Sequence, residues 1–419
     1  MKPEDKNFLS ELFRSAVEAA DPEKALSAYL PARPKGRTVV IGAGKGAAQL
    51  AAAFERLWDG PLEGVVVTRY GYAAPSRRIR VLEAAHPVPD AAGLAATQAF
   101  FDAVKGLSTD DLVVALICGG GSALLPAPPG DLTLEDEAAL NTALLASGAP
   151  ISVMNAIRKQ VSAIKGGRLA AACHPAKVVT LVVSAVPGDD PAQVASGPTV
   201  PDAGDREEAR ALVKTWGIKL PTRIEAWLGG DEGEPLSPAD PIFATHEVQV
   251  IASARLSLEA AAQRAQALGV PAVILSDSIE GEARDVARVH AAIAREVASR
   301  GRPFSRPVVI LSGGETTVTI KGGGKGGRNT EFLLSLALAG EGVSFVALAA
   351  DTDGIDGSED NAGAFADGTS MKRLRDLGVD PATLLADNDA WTAFDLLDDL
   401  FVPGPTGTNV NDFRAILIL

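Results

Sequence analysis

A buried apolar strand, a glycine turn and a helix recur in this order along the chain. The pattern is first seen in RTVVIGAGKGAAQLAAAFERLW (37–58), and DDLVVALICGGGSALL (110–125) and PVVILSGGETTVTI (307–320) begin in the same way. Strands that alternate with helices of this length predict parallel sheets covered by helices on both faces. Ligands of such sheets bind beyond the carboxyl ends of the strands, where each glycine cluster falls. We therefore expect an α/β fold with functional residues in the loops after strands.

The chain is long enough for two domains, since it has 419 residues. The segment 202–245 is rich in Pro, Gly, Asp and Glu, which favours a boundary there. We expect a larger N-terminal domain over residues 1–236 and a C-terminal domain over 237–419. Each is expected to be a mainly parallel, Rossmann-like sheet. In the second domain the strands are predicted at 248–253, 271–276, 307–320 and 344–354.

Charge and hydropathy exclude several classes of partner. The formal net charge is −14, whereas a nucleic-acid surface needs a basic stripe that neutralises phosphates. No apolar run has the length of a membrane span, and the first residues lack the pattern of a secretory signal. Two cysteines do not make a disulfide framework. We expect a cytoplasmic monomer or homodimer that binds small molecules and neither nucleic acid nor membrane.

Two glycine turns are candidate phosphate sites. In GAGKGA (42–47), Gly44 and Lys45 precede a helix N-terminus that would attract an anion. The acid that a dinucleotide site needs about twenty residues later is Glu63, but it precedes its strand instead of ending it. The second turn contains the triple glycine 119–121 and Ser122. Either turn could instead be structural, the first by packing helix on strand and the second with Ser122 as a helix cap.

Charged residues follow other strands in the same way. Asp189 and Asp190 follow the strand 178–184, and Asp351 ends another strand. Carboxylates at strand ends could hold Mg²⁺ or form Asx turns, and both interpretations stay open. The helix at 155–159 presents Arg158 and Lys159 either to a ligand or to solvent. The glycine-rich run KGGGKGGR (321–328) has the composition of a loop that folds over phosphates.

Taken together and in this order, the motifs resemble those of the class II glycerate kinases. The resemblance is carried by GAGKGA (42–47), GGGSALL (119–125), NAIRK (155–159), VPGDDPAQVASGPT (186–199), SGGETTVT (312–319), GGRNTEF (326–332), DTDGIDG (351–357) and GPTGTNVNDF (404–413). It implies a leucine-rich C-terminal domain and an active site in the cleft between the domains. It also implies ATP- and Mg²⁺-dependent phosphoryl transfer to the 2-hydroxyl of D-glycerate.

The resemblance also implies roles for individual residues. Lys45 matches the family's glycine-loop lysine, the expected charge stabiliser, and with Asp189 and Arg328 it makes the expected catalytic set. The residues expected to bind substrate or phosphate are Gly44, Gly119, Gly120, Gly121, Ser122, Asn155, Arg158, Lys159, Glu315, Asn329 and Asn409. Those expected to hold Mg²⁺ are Asp189, Asp190 and Asp351.

Four residues depart from the family pattern at motif positions. Ala185 stands where the family usually has Asp, Cys118 where it usually has Ser, Val153 where it commonly has an acid, and Gln160 where His is commoner. Two of these changes remove a carboxylate. An impaired kinase and a branch with a different substrate range are both compatible with them.

Two other functions stay open at this point. The glycine spacing of 42–47 and a label carried by some family members suggest an NAD(P)H-dependent hydroxypyruvate reductase. The missing carboxylates suggest a sugar-acid or nucleotide-binding protein without turnover.

Overall fold

A computed structural model describes residues 1–230 and 236–419, which form two compact units. The first unit is Pro22–Ile251, and the second combines Met1–Asp21 with Ala252–Leu419. This division differs from the expected domains 1–236 and 237–419. Residues 231–235, next to the expected boundary, lie outside the described part. The N-terminal segment belongs to the second unit because its helix buries Leu9, Leu12 and Phe13 in that unit's core.

Helices and strands alternate through most of the described chain. The helices are α1 (Pro3–Ala19), α2 (Pro22–Ser27), α3 (Ala47–Leu57), α4 (Ala91–Ala103), α5 (Gly121–Leu124), α6 (Leu134–Ala146), α7 (Ile151–Gln160), α8 (Arg168–Ala172), α9 (Arg206–Thr215), α10 (Thr222–Gly229), α11 (Ala254–Ala267), α12 (Ala283–Arg300), α13 (Arg328–Ala339), α14 (Ser370–Asp376), α15 (Pro381–Ala386) and α16 (Ala390–Leu396). In the part of the chain that the structure describes, none of them combines the length and apolarity needed to cross a membrane.

The strands form two large sheets and one short parallel pair, β8 with β10. They are β1 (Thr38–Ala43), β2 (Glu63–Arg69), β3 (Ile79–Ala84), β4 (Leu112–Cys118), β5 (Lys177–Val183), β6 (Glu247–Ala252), β7 (Ala272–Ile274), β8 (Gly281–Glu282), β9 (Val308–Gly314), β10 (Thr316–Thr317), β11 (Val346–Asp351), β12 (Gly363–Asp367), β13 (Leu400–Phe401) and β14 (Asp412–Ile418).

The first sheet confirms the predicted parallel arrangement. Its order is β3-β2-β1-β4-β5-β6, and β3, β2, β1, β4 and β5 pair in parallel. All six residues of β1 are buried, so both faces of the sheet are covered there. On one face, Val39 and Ile41 pack with Phe100 of α4 and Leu169 of α8.

The second sheet corrects the expectation of a mainly parallel arrangement. Its order is β13-β12-β11-β14-β9-β7, and only β7 and β9 pair in parallel within the described residues. The difference from the prediction comes from β12 and β14, which were not predicted as strands. Each of them runs antiparallel to both of its neighbours. Helices cover both faces as predicted. Ile310 packs with α12, α13, α14 and α16, and Leu311 packs with α1 and α11.

A separate helical cluster belongs to the first unit. Helices α6, α7, α9 and α10 share a small apolar core that includes Leu140, Ile157, Ala209 and Ile224. Because these residues pack on one another and not on the sheet, α7 can present its remaining buried face, with Asn155, to the loops at the sheet edge.

Candidate active site

Most of the predicted residues of the first unit meet at the carboxyl edge of its sheet. Strands β1, β4 and β5 are adjacent and parallel, so their carboxyl ends lie side by side. The turn 44–46 follows β1, the triple glycine 119–121 follows β4, and the loop 184–198 follows β5. Three segments that are far apart in the sequence therefore form one edge.

Lys45 is fixed at its backbone while its ammonium group is available. Its N–H donates to the carbonyl of Gly119 at 2.9 Å, and its carbonyl accepts from Thr68 Oγ1 at 3.0 Å. Within residues 1–230 and 236–419, its Nζ makes no hydrogen bond or ion pair. A lysine held in this way can meet an incoming anion without first breaking an internal ion pair.

Gly120 packs Lys45 against His86. The φ angle of Gly120 is +83°, and a Cβ at this position would lie 3.0 Å from Lys45 Cγ and 3.2 Å from His86 Nε2. Burial lowers the pKa of His86 to about 4, and the charges of Lys45 and Arg69 lower it in the same direction. His86 is therefore neutral at pH 7. Its position after β3, at the same sheet edge, is the signal that could have placed it in the site.

The loop 184–198 contains unusual backbone strain. Six non-glycine residues of the described chain have positive φ, and three of them are here: Asp189 at 54°, Ala195 at 53° and Ser196 at 60°. The amides of Gly166 and Gly167 hold the loop by donating to the carbonyls of residues 196 and 197, at 3.1 and 2.7 Å. Strained backbone that neighbouring structure holds in place is typical of functional loops.

A chain of hydrogen bonds joins the triple-glycine turn to the helical cluster. The Oγ atoms of Ser122 and Ser196 are 2.8 Å apart, and Ser196 Oγ donates to Asn155 Oδ1 at 3.0 Å. Arg158 Nη1 donates to the same Asn155 oxygen at 3.1 Å, and its Nε donates to Asn141 Oδ1 at 2.8 Å. Ser122 does not cap α5, whose N-cap is Gly120. Asn141 and Ser196 were not predicted as site residues.

Lys159, the residue after Arg158, has an internal counter-ion. Its Nζ is buried and forms an ion pair with Asp202. Lys165 is buried in the same way, 2.7 Å from Glu137. The expectation that Lys159 binds substrate is therefore corrected, because Asp202 already neutralises its ammonium group.

Each of the four departures from the family pattern fits its surroundings. Ala185 is half-buried, and a Cβ on Gly119 would lie 3.7 Å from the Ala185 methyl group. Cys118 Sγ accepts from the Gly46 amide at 3.3 Å, and burial raises the pKa of this thiol to about 12. Val153 packs in the helical cluster. Gln160 Nε2 donates to the carbonyl of residue 204 at 3.0 Å.

The second unit brings together another group of predicted residues. The start of β14 lies between the ends of β9 and β11, because β14 runs opposite to both. Arg328 donates to Asp412, Glu315 and Asp351 at 2.7, 2.8 and 2.7 Å. Burial disfavours the guanidinium charge, but these three carboxylates outweigh it and raise the pKa of Arg328. The three nitrogens of Arg328 are thus already engaged.

Buried carboxylates surround this arginine. Asn329 is fully buried, and its Nδ2 donates to Asp412 at 2.8 Å while its N–H donates to Asp356 at 2.9 Å. Burial raises the pKa of Asp351 to about 8, against the opposing charge of Arg328, and raises that of Asp356 to about 6. Asp356 and Asp412 were not predicted as site residues. The buried position of Asn329 favours a structural role over contact with a ligand.

The run KGGGKGGR is anchored instead of folding freely over a ligand. Backbone amides of Lys321, Gly323 and Lys325 donate to the side chains of residues 388, 387 and 389 at 2.8, 3.2 and 2.9 Å. These amides are therefore not available to a phosphate. Asn409, another predicted binding residue, donates to Asp353 at 3.3 Å.

The carboxylates differ in how well they suit a metal ion. Among the described residues, no three Cys, His, Asp or Glu side chains are placed to share one. Asp351 is already paired with the positive charge of Arg328, so it fits poorly. Asp189 and Asp190 are adjacent on a turn that is largely exposed, and Mg²⁺ beside a nucleotide takes one or two carboxylates and completes its shell with phosphate oxygens and water. These two residues fit that pattern.

The fold and the sheet-edge site define a two-unit α/β enzyme with a lysine-bearing glycine turn, and comparisons with known proteins identify the family. Residues 8–229 match the family described as a domain of unknown function (DUF4147), and residues 308–412 match the MOFRL family. A protein of Agrobacterium vitis named "Putative hydroxypyruvate reductase" is 52% identical over 99% of this chain and 94% of its own length.

Relatives named as kinases also match over their full length. The D-glycerate 2-kinase of Thermotoga maritima is 38% identical, over 99% of this chain and 98% of its own. The crystal structure of a Thermotoga maritima glycerate kinase superposes with a TM-score of 0.90 at 36% identity, over 100% of both chains. The chain therefore belongs to the glycerate kinase family.

Proposed function

We propose that this protein transfers the γ-phosphoryl group of ATP to the 2-hydroxyl of D-glycerate, giving ADP and 2-phosphoglycerate. The observation that carries the proposal is Lys45, which is held by its backbone between β2 and β4 and has an unpaired ammonium group within the described residues. A phosphoryl group in transfer carries negative charge on its oxygens, and a positioned cation stabilises it. The names of the kinase relatives supply the substrate class.

The position of Glu63 favours this chemistry over hydride transfer. A dinucleotide site holds the ribose with an acid at the end of the second strand. Here Glu63 is the first residue of β2 and Arg69 is the last, so the acid lies at the opposite edge of the sheet from Lys45. Among the described residues, His86 makes no hydrogen bond or ion pair with a carboxylate that could serve as a proton relay.

The proposed reaction uses the sheet edge as follows. The 2-hydroxyl oxygen forms a bond to the γ-phosphorus, the bond from that phosphorus to the bridging oxygen breaks, and ADP leaves. Lys45 neutralises charge on the transferred group, and the turn 119–121 lets the phosphates approach the backbone without contact with side chains. Asp189, which the resemblance places in the catalytic set, is the candidate acceptor of the hydroxyl proton.

Mg²⁺ belongs to the proposal as the ion that accompanies ATP. Asp189 and Asp190 are the residues of the first unit that would hold it. When bound, it supplies positive charge to the phosphate oxygens. Burial keeps His86 neutral, so this residue adds no positive charge beside Lys45.

We further propose that Ala185 limits the rate of transfer. It lies at the end of β5, four residues before Asp189, and next to the triple-glycine turn. A carboxylate in this place would face the same turn that the phosphates approach. Its loss removes a group that could orient the hydroxyl or the metal ion.

The test is an assay of the full chain with ATP, Mg²⁺ and D-glycerate, coupled through enolase. Enolase accepts 2-phosphoglycerate, so a signal without added mutase identifies the 2-phosphate product. A parallel reaction contains NADH and hydroxypyruvate. We expect phosphoglycerate formation in the first reaction and no NADH oxidation in the second. Oxidation of NADH without any phosphorylated product would show that the protein is a reductase and not a kinase.

A further inference from the structure

Two buried cations and one partly buried cation of the first unit differ in what neutralises them. Lys159 is paired with Asp202, and Lys165 lies 2.7 Å from Glu137. In the described part of the chain, Arg158 donates to the amide oxygens of Asn141 and Asn155 and to no other acceptor. Within the described residues no carboxylate lies at ion-pair distance from it. Arg158 is therefore a partly buried charge held by neutral groups.

This arginine keeps its charge at neutral pH. Burial lowers the pKa of Arg158 to about 10, and the nearby Glu137 opposes that effect. Glu137 itself is occupied, since one oxygen accepts from Lys165 and the other from the Ala127 amide at 2.9 Å. A partly buried guanidinium with no partner of opposite charge loses part of its hydration without compensation, and the addition of an anion would relieve this.

The two asparagines fix the orientation of the guanidinium. Asn141 on α6 accepts from Nε, and Asn155 on α7 accepts from Nη1. Nη2 has no acceptor among the described residues, and it is not one of their fully enclosed, unpaired polar atoms. The same Asn155 oxygen accepts from Ser196, which contacts Ser122 after the triple glycine. Arg158 is thus linked through Nη1 to the sheet edge by three side chains, while Nη2 stays open to a ligand.

We propose that Arg158 binds the carboxylate of the acceptor substrate and that Asn141 and Asn155 are its positioning residues. The inference rests on the proposed function and assigns the part of the site that selects a hydroxy acid over a neutral alcohol. Asparagine suits the positioning role because it holds the guanidinium through a carbonyl oxygen and leaves its charge for the ligand. An aspartate in the same place would neutralise it.

The most informative variant is Asn141→Asp, which supplies that internal counter-ion. It is nearly isosteric and should leave the thermal stability equal to or above that of the wild type. We expect the KM for D-glycerate to rise about 10- to 100-fold, in keeping with the loss of a charge-assisted bond. The KM for ATP should stay within about twofold of the wild-type value, because the proposed contact is with the acceptor substrate and not with ATP. Thr142→Asp adds the same charge at the next, exposed residue of α6 and should change neither constant.

Arg158→Gln provides the second arm, measured with D-glycerate and with its uncharged amide, glyceramide. We expect the loss of kcat/KM to be confined to D-glycerate. Equal losses with both acceptors would show a structural role for Arg158 and overturn the inference. A rise in the KM for ATP alone would assign Arg158 to a phosphate and overturn it as well.

Binding measurements separate this inference from the proposed function. Calorimetry with D-glycerate needs no turnover, and it should give weaker binding to Arg158→Gln than to the wild type. If the wild type binds D-glycerate through Arg158 but forms no phosphorylated product, the kinase proposal fails and the inference stands. If binding of D-glycerate is absent, or is unchanged in Arg158→Gln, the inference is overturned.

Discussion

Ala185 occupies the strand end at which the resemblance implies an acid, and its neighbours leave room for one. It is half-buried beside Gly119. We expect Ala185→Asp to raise kcat for D-glycerate phosphorylation about tenfold or more, as a positioned base or metal ligand does. Ala185→Asn is the matched control, because it adds the same volume without the charge.

The contrast between these two variants decides what the missing carboxylate does. The melting temperatures of both should stay close to that of the wild type, because a polar side chain at a strand end reaches water. Equal rates for the Asp variant, the Asn variant and the wild type would show that the position does not limit transfer.

At the scale of structural elements, the triple-glycine turn can be tested by comparison with a second glycine. Gly120 and Gly106 both have positive φ, +83° and +70°. A Cβ on Gly120 would press on Lys45 and His86, whereas one on Gly106 meets nothing within 4 Å. We expect Gly120→Ala and Gly106→Ala to lose similar stability, about 1 kcal/mol each.

Activity should separate the two alanine variants. Displacement of Lys45 in Gly120→Ala should lower kcat about 100-fold, since small misplacements of catalytic groups have effects of this size. Gly106→Ala should keep the wild-type rate. A similar rate in both variants would mean that contact with this turn does not position Lys45.

The packing of α12 on β9 makes a pH-dependent contribution through His290. This residue bonds to the carbonyl of Val286 at 2.9 Å and to Ser312 Oγ at 3.0 Å, and burial lowers its pKa to about 4. The unfolded chain binds the proton near pH 6.5, but the folded chain does not. The contribution of His290 to the free energy of unfolding is therefore fully present above pH 6.5. It is lost as the pH falls towards 4, by up to about 3 kcal/mol.

His290→Gln should remove that part of the pH dependence. The free energy of unfolding of the variant, measured by chemical denaturation between pH 7 and pH 4, should fall less steeply than that of the wild type. Parallel curves for the two proteins would show that the histidine can accept its proton inside the fold.

The sequence predicted the first sheet better than the second for a physical reason. Strands such as β1 and β4 are buried on both faces and read as apolar runs, followed by glycines. In β14 the buried Asp412 and Arg414 interrupt the apolar pattern, because Asp412 pairs with both Arg414 and Arg328. β12 is built from Gly, Ala, Phe and Asp and lacks β-branched residues. Neither has the pattern of a buried strand.

At the scale of the whole molecule, some site residues are marked by a local sequence pattern and others are not. Lys45 and the glycine turns were predicted because they follow strands directly. Asn141, Ser196 and Asp412 depend on partners distant in sequence, so no local pattern marks them. The same limit applies to Lys159, whose ion pair with Asp202 could not be anticipated.

The central claim is that the Lys45 turn supports phosphoryl transfer to D-glycerate, and the most direct measurement compares Lys45→Met with the wild type. ³¹P NMR of full-length protein with ATP, Mg²⁺ and D-glycerate identifies the product and its rate. Lys177→Met, which removes an exposed lysine paired with Glu247, is the control. We expect 2-phosphoglycerate from the wild type and the control, and a rate at least about 1000-fold lower for Lys45→Met. Phosphoglycerate formation by Lys45→Met at the wild-type rate, or only free phosphate from the wild type, would contradict the claim.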